Sequence, residues 1–232
     1  MECIILAGGL GTRLQSVIGA YPKCMAEVNG QPFLYYLLQY LKQQNCTKVI
    51  LSLGFKSEVV LDWIKDKELP FSIDYVIEEE PLGTGGGISY ALSKATEENV
   101  VVLNGDTMFQ VPLQDMLKVH IANNAGTSLA LKKMYDFDRY GVVNFDDKGC
   151  ISSFEEKKKQ TEGYINGGVY IINKNYIATK QLPTKYSFEK DYLETFVVDK
   201  TLFCYASDAY FIDIGIPEDY QKAQVDFKAL FK

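Results

Sequence analysis

The chain has 232 residues, 47% of them apolar and 23% charged, which suits a single globular domain and excludes collagen-like, low-complexity and disordered classes. Lys and Arg total 24 against 30 Asp and Glu, a net charge of −6, so no overall field attracts nucleic acid or an anionic membrane, and any phosphate must be held locally. Apolar runs such as Cys3–Ala7 and Val100–Leu103 are far too short to span a bilayer. No basic leader is visible, and five scattered cysteines without a Cys-x-x-Cys pair predict reduced thiols in the cytoplasm.

Glu2–Leu6 reads as a buried strand running into a Gly-rich loop, Gly8–Arg13. Apolar residues at 33, 34, 37, 38 and 41 predict a helix over Gln31–Gln44. A strand at Lys48–Leu53, a helix at Lys56–Lys65 and a strand at Ser72–Ile77 follow. A second Gly-rich loop, Glu78–Gly87, leads into a helix ending near Ala95, and the apolar strand Asn99–Leu103 stops at Asn104-Gly105-Asp106. This alternation predicts an α/β protein with a mostly parallel sheet covered on both faces.

Beyond a helix at Leu113–Ala122, which carries the single histidine, His120, the pattern changes. Ser128–Met134, Gly141–Phe145, Ile151–Phe154 and Tyr164–Ile172 read as strands of a more antiparallel lobe, with a hairpin signal at Asp146–Gly149. Helices are predicted at Asn173–Thr179, Phe188–Val197 and Pro217–Phe231, and strands at Leu202–Tyr205 and Tyr210–Ile212. No linker or repeat divides the chain, so residues 1–232 form one domain in this reading.

The first Gly loop is not a dinucleotide fingerprint, because Leu14 stands where the third glycine belongs, and no Gly-Lys-Ser/Thr makes it a Walker A loop. It does end in Thr12-Arg13, with Lys23 ten residues later. Backbone N–H groups at such a turn form an anion site, to which Arg13 adds a planar fork and Lys23 a point charge. Asp106 and Asp213 each close an apolar strand, where ligands bind in an open α/β sheet. Two carboxylates there suit Mg²⁺, which takes one or two of them together with water and phosphate oxygens. With one histidine only, Ser-His-Asp and His-metal mechanisms are set aside. The set favours phosphoryl or nucleotidyl transfer, which needs positioning and charge neutralisation more than a base.

Taken in order, Leu6–Leu14, Pro22-Lys23, Pro81–Gly85, Asn104-Gly105-Asp106, Phe154–Lys157, Asn166-Gly167-Gly168 and Asp213–Tyr220 closely resemble the sugar-1-phosphate nucleotidyltransferases over essentially the whole chain. The resemblance implies a Rossmann-like fold, with a central mostly parallel mixed sheet flanked by helices and a smaller antiparallel sugar-binding lobe. Residues 1–110 would form the nucleotide-binding core and 111–232 the sugar-phosphate-binding part. It further implies that Leu6, Ala7, Gly8 and Gly9 face base and ribose, that Gly11, Thr12 and Arg13 hold the leaving phosphates, and that Lys23 sits by the α-phosphate. Pro81, Gly83 and Thr84 would complete the nucleotide site. Asp106 and Asp213 would bind Mg²⁺. Gly105, Tyr140, Gly141 and Asn166 would line the sugar pocket, Glu156 would bond sugar hydroxyls, and Lys157 would grip the sugar phosphate. Two positions depart from the family pattern: Cys24 stands where Pro is common, and Ile216 where Thr is. With the chain ending soon after Tyr220, no appended β-helix domain is expected.

Glu78-Glu79-Glu80 precedes Pro81. A carboxylate there can accept from the adjacent N1–H and N2–H₂ donors of guanine, whereas uracil and thymine offer one donor between acceptors. This favours GTP, and spacing favours Glu78. Within the family, Asp136–Gly141, Ser187-Phe188-Glu189 and Phe211–Gly215 are most similar to guanylyltransferases acting on D-glycero-α-D-manno-heptose 1-phosphate, which supply surface glycans such as capsule. The Gly-rich stretch after Thr84 is shared with muramate 1-phosphate uridylyltransferases, so UTP with an amino sugar and GTP with mannose 1-phosphate stay open. A silent nucleotide-sugar-binding regulator is a further alternative, and an NAD oxidoreductase is disfavoured by Leu14. The partners expected are thus GTP and a sugar 1-phosphate, with an isologous homodimer as the commonest assembly.

Overall fold

The structure, a computed structural model, describes residues 1–9, 19 and 21–231. Its centre is built from strands β1 (Glu2–Leu6), β4 (Lys48–Leu53), β5 (Ser72–Ile77) and β6 (Asn99–Asn104), joined later by β8 (Thr127–Phe137), β11 (Gln160–Asn173) and β12 (Leu202–Ala206). They form one seven-stranded sheet in the order β12-β8-β11-β6-β1-β4-β5. Strand β11 runs antiparallel to both neighbours, while the other pairs are parallel. The sheet is therefore mixed and mostly parallel, as the sequence predicts.

The period of two in the strands sorts the core into two layers. Cys3, Ile5, Val49, Leu51, Val101 and Leu103 point to one face. They meet helices α1 (Phe33–Gln43), α2 (Ser57–Ile64), α4 (Leu113–Ala122) and α6 (Pro217–Leu230). Ile4, Ile50, Val100 and Val102 point to the other face, which α3 (Gly83–Leu92), the short α5 (Lys174–Ala178) and a π-type turn (Phe188–Glu194) cover. Both faces are dry, which explains why β1 and β6 read as unbroken apolar runs.

Several elements depart from expectation. Helix α1 starts at Phe33 rather than Gln31, because Gln31 and Pro32 form strand β3, paired with β2 (Glu27–Val28) across an Asn29-Gly30 turn with φ of 47° and 78°. Strand β7 (Thr107–Phe109) was not predicted; it pairs with β13 (Phe211–Asp213). The antiparallel half is not a separate sheet. Beyond the third-strand contacts at Leu131 and Val169, β8 and β11 run on as a two-stranded ribbon to Phe137 and Gln160. The hairpin of β9 (Val143–Phe145) and β10 (Ile151–Phe154) meets that ribbon through a Val142–Ile165 bridge. The helix predicted at Phe188–Val197 is instead the π-type turn followed by a 3-10 turn, Val197–Asp199. Its wider coil is held by stacked Phe188 and Tyr192 rings 5.1 Å apart and by Thr195 Oγ1 donating to the Lys190 carbonyl at 3.3 Å.

No helix among the described residues is long and apolar enough to cross a membrane, and all five cysteines are free thiols. His120 is buried on α4 and ties it to the sheet: Nδ1 lies 2.9 Å from Ser128 Oγ on β8 and Nε2 lies 3.1 Å from Asn99 Oδ1 on β6. Burial lowers its pKa from 6.5 to about 4. Between those values the unfolded chain binds more protons than the folded one, so stability falls as the pH drops through the window, by up to about 3 kcal/mol in total. Urea unfolding from pH 7 to pH 4 should therefore show a steeper loss for the native chain than for His120→Gln; parallel curves would refute this role.

Candidate active site

The site forms where β4, β1 and β6 end. Their pairing continues past the regular strands: Ala7 N–H donates to the Ser52 carbonyl at 2.8 Å, Glu78 N–H to Leu53 at 2.8 Å and Gly105 N–H to Leu6 at 2.9 Å. Such approach requires bare backbone, since a Cβ on Gly105 would lie 2.4 Å from the Leu6 oxygen. A cavity of about 610 Å³ opens there. Of the residues predicted from the sequence, Leu6, Ala7, Gly8, Gly9, Lys23, Glu78, Pro81, Gly83, Thr84, Gly105 and Asp106 line it. Gly11, Thr12 and Arg13 lie outside the described residues.

One ion pair dominates the cavity's charge. Lys23 opens a 3-10 turn, Lys23–Met25, after extended Pro22. Its Nζ lies 2.9 Å from Asp106 Oδ2, with the two side chains only 15% and 26% exposed. Cys24, the departure from the family pattern, is buried beside them; burial and then the Asp106 charge push its thiol up to about 12, so it stays neutral and inert.

Asp213, predicted with Asp106, does not itself line the cavity, but the β7–β13 ladder sets it next to Asp106. Thr107 pairs with Asp213, Ile214 N–H donates to the Asp106 carbonyl at 2.9 Å, and Gly215 N–H donates to Asp213 Oδ1 at 2.8 Å. Among the described residues no group of three or more His, Cys, Asp or Glu side chains makes a cage for a metal. What the ladder does bring together is backbone: Asp106, in the turn after β6, lines the cavity, and Asp213, at the end of β13, stands beside it without lining it. Tyr140 stands nearby, its ring edge-on to Phe211 of β13 at 6.3 Å. Burial and then the Asp213 charge hold its phenol well above the ordinary range. Arg139 Nη2 binds Asp219 Oδ2, in the first turn of α6, at 2.7 Å.

At the other end, Glu78 is half-buried while Glu79 and Glu80 are exposed. Glu78 Oε2 accepts from Leu82 N–H at 2.9 Å and Oε1 from Ser52 Oγ at 3.4 Å. Two glycines make room for it, since added Cβ atoms on Gly87 and Gly8 would lie 2.7 and 3.1 Å from Oε1. The neighbouring glycines serve packing instead. A Cβ on Gly85 would lie 2.0 Å from the Tyr186 ring, and one on Gly86 would lie 2.4 Å from the Thr184 oxygen. The segment Thr184–Tyr186 thus lies directly on helix α3, held by Gly85 N–H donating to Tyr186 and Tyr186 N–H donating to Leu82, each at 3.0 Å.

The predicted sugar-side residues are less gathered. Asn166 donates through Nδ2 to the Tyr170 hydroxyl at 2.9 Å and accepts Gly168 N–H at 3.0 Å, which fixes a bulge in β11. Gly141 lies against the Glu155 carbonyl, 2.3 Å from where its Cβ would be. Glu156 and Lys157 occupy the β10–β11 loop and do not line the 610 Å³ cavity. Glu155, not predicted, is instead held by Asn144 Nδ2 at 2.9 Å and Lys158 Nζ at 2.8 Å. Also unpredicted as lining residues are Ser52, Gly54, Phe55, Gly87 and Asn104. Asn104 was signalled by its place in Asn104-Gly105-Asp106; Ser52 and Gly87 reveal themselves only through their contact with Glu78.

The family described as Nucleotidyl transferase matches residues 2–229. D-glycero-alpha-D-manno-heptose 1-phosphate guanylyltransferase of Aneurinibacillus thermoaerophilus is 50% identical over 98% of this chain and 99% of its own. The protein of the same description from Campylobacter jejuni is 47% identical over 95% of this chain and 97% of its own. The crystal structure of HddC from Yersinia pseudotuberculosis complexed with GMP-PN superposes with a TM-score of 0.86 at 39% identity, covering 97% of this chain and 99% of that one. With a match across nearly every residue and a cavity where that fold's strands end, the chain belongs to the nucleotidyl transferase family.

Proposed function

We propose that the protein transfers GMP from GTP to a sugar 1-phosphate, D-glycero-α-D-manno-heptose 1-phosphate, giving GDP-heptose and pyrophosphate. The observation that carries this reading is one cavity with a fixed carboxylate, Glu78, at one end and the Lys23–Asp106 pair at the other. The half-identity to two guanylyltransferases supports the choice of substrates. In this reading residues 1–110 carry the nucleotide and 111–232 the sugar phosphate, in the cytoplasm, where nucleoside triphosphates are made and thiols stay reduced.

Glu78 accepts the N1–H and N2–H₂ donors of guanine. Its carboxylate is already aimed by Leu82 N–H and Ser52 Oγ, so little ordering is needed on binding. Lys23 faces the α-phosphate and neutralises charge that grows as a sugar-phosphate oxygen attacks phosphorus. Its partnership with Asp106 keeps the ammonium in place before the nucleotide arrives. Gly11, Thr12 and Arg13 receive the departing pyrophosphate. Asp106 and Asp213 would hold Mg²⁺, which when bound supplies charge neutralisation at the phosphate oxygens. The nucleophile is anionic at neutral pH, so no side chain has to take a proton.

Pyrophosphate release measured over four nucleoside triphosphates and a panel of sugar 1-phosphates tests the reading: GTP with the heptose 1-phosphate should be the best pair, and preference for UTP with muramate 1-phosphate would overturn it. Asp106→Asn and Asp213→Asn should each lower kcat by at least about 100-fold; near-normal turnover in either removes that residue from the metal site. Glu78→Gln should cut the preference for GTP over UTP by roughly 10-fold, because a charge-assisted bond to guanine is lost; an unchanged ratio assigns base selection elsewhere.

A further inference from the structure

Glu189 stands at the start of the π-type turn, half-buried. It touches the cavity wall through Thr84, a lining residue whose Oγ1 donates to Glu189 Oε2 at 2.9 Å and accepts Phe188 N–H at 2.9 Å. Ser187 Oγ donates to the same Oε2 at 3.2 Å. Oε1 carries no hydrogen bond among the described residues. The carboxylate is therefore oriented by two hydroxyls acting on one oxygen, which leaves the other available. π-type turns recur at functional sites because the extra residue re-aims side chains.

Position decides what that oxygen meets. Phe188, next to Glu189, lies edge-on to the buried Tyr170 ring at 5.1 Å, and the Tyr170 hydroxyl accepts from Asn166 at the β11 bulge. Asn104, another lining residue, lies against Gly168 of that bulge, its Nδ2 2.6 Å from where a Cβ would sit. Burial first, then the charge of Glu189, holds the Tyr170 phenol un-ionised. Glu189 is thus joined to the cavity wall by Thr84 and, through Phe188 and Tyr170, stands by the β11 bulge that Asn166 fixes. A carboxylate repels phosphate, so the group that suits it is a neutral donor, and the acceptor sugar is the substrate assigned to Asn166 on that side in this reading.

We propose that Glu189 Oε1 accepts a hydrogen bond from an exocyclic hydroxyl of the acceptor sugar and is a specificity-determining residue for the seven-carbon substrate. This rests on the guanylyltransferase reading. A heptose carries two exocyclic hydroxyls where mannose carries one, so the contact separates the two sugars. The competing source of the same chemistry is the ribose of GTP.

The test is steady-state pyrophosphate release by the full chain and by Glu189→Ala and near-isosteric Glu189→Gln, with heptose 1-phosphate and mannose 1-phosphate at saturating GTP, and with GTP and 2′-deoxy-GTP at saturating sugar. Glu189→Ala should raise KM for heptose 1-phosphate by about 10-fold, with a smaller rise in Glu189→Gln, since a bond to a charged acceptor is lost. KM for mannose 1-phosphate should move less, and KM for GTP should not move. Equal rises for both sugars would overturn the proposal in favour of a purely structural role, and a rise confined to GTP and absent with 2′-deoxy-GTP would assign Glu189 to the ribose. If Glu189→Ala fails to fold, the Glu189→Gln ratios decide alone. A native chain inert toward GTP with either sugar overturns the guanylyltransferase reading and this inference with it; a native chain active on heptose 1-phosphate whose preference survives both substitutions overturns this inference alone.

Discussion

Strands β1 and β6 remain paired one residue beyond their regular ends because position 105 carries no side chain, and the Gly105 N–H bond to Leu6 organises what surrounds it. It brings the Ala7–Gly9 segment and Asp106 to the same rim. Asp106 in turn accepts Ile214 N–H through its backbone, which draws in β13 and Asp213, and accepts Lys23 through its side chain. Residues separated by more than a hundred positions thus depend on one backbone contact. The Lys23–Asp106 pair is mostly shielded, so neither partner is easily removed alone: the survivor would be a poorly solvated single charge, which costs more than the pair itself is worth.

The chemistry of the site is marked by how few protons can move in it. Cys24 is held as a thiol by burial, Tyr140 and Tyr170 as phenols by burial and nearby carboxylates, and the one histidine is remote, neutral and bonded at both nitrogens. What remains charged is held in fixed geometry. Such a site is poorly equipped to deprotonate a nucleophile and well equipped to align anions, which matches a reaction between two phosphates. The acidic balance of the chain is compatible with that task because the cation in the cavity, Lys23, is placed by a specific carboxylate, Asp106.

Local pattern carried a large part of the structure. The bounds of β4, β5, β10 and α4 follow directly from apolar periodicity, and Leu6–Gly9, Lys23, Pro81, Gly83, Thr84 and Gly105-Asp106 all line one cavity. Long-range placement was less legible. That β11 would insert between β6 and β8 is a property of pairing, which no window of neighbouring residues encodes. The Asn29-Gly30 hairpin is short, and its second strand, Gln31-Pro32, falls at the start of the span that apolar spacing assigns to the helix. The glycines at 85 and 86 resemble a phosphate loop in sequence, yet they admit the Thr184–Tyr186 segment a hundred residues away. Glu156 and Lys157 are grouped with the site only by motif, because they lie in the loop between β10 and β11 and do not line the cavity.

The insertion of β11 also governs how the chain emerges from the ribosome. Residues up to Asn104 complete a parallel core in which β6 is the outermost strand, and every side chain from Val100 to Leu103 is fully buried in the finished protein. Its partner on the open side is not synthesised until Gln160–Asn173. For roughly three to fourteen seconds of translation, a nascent core of this kind offers an unpaired apolar edge of the sort that recruits other chains. The same strand order thus leaves β6 without its partner on that side while residues 105–173 are being made.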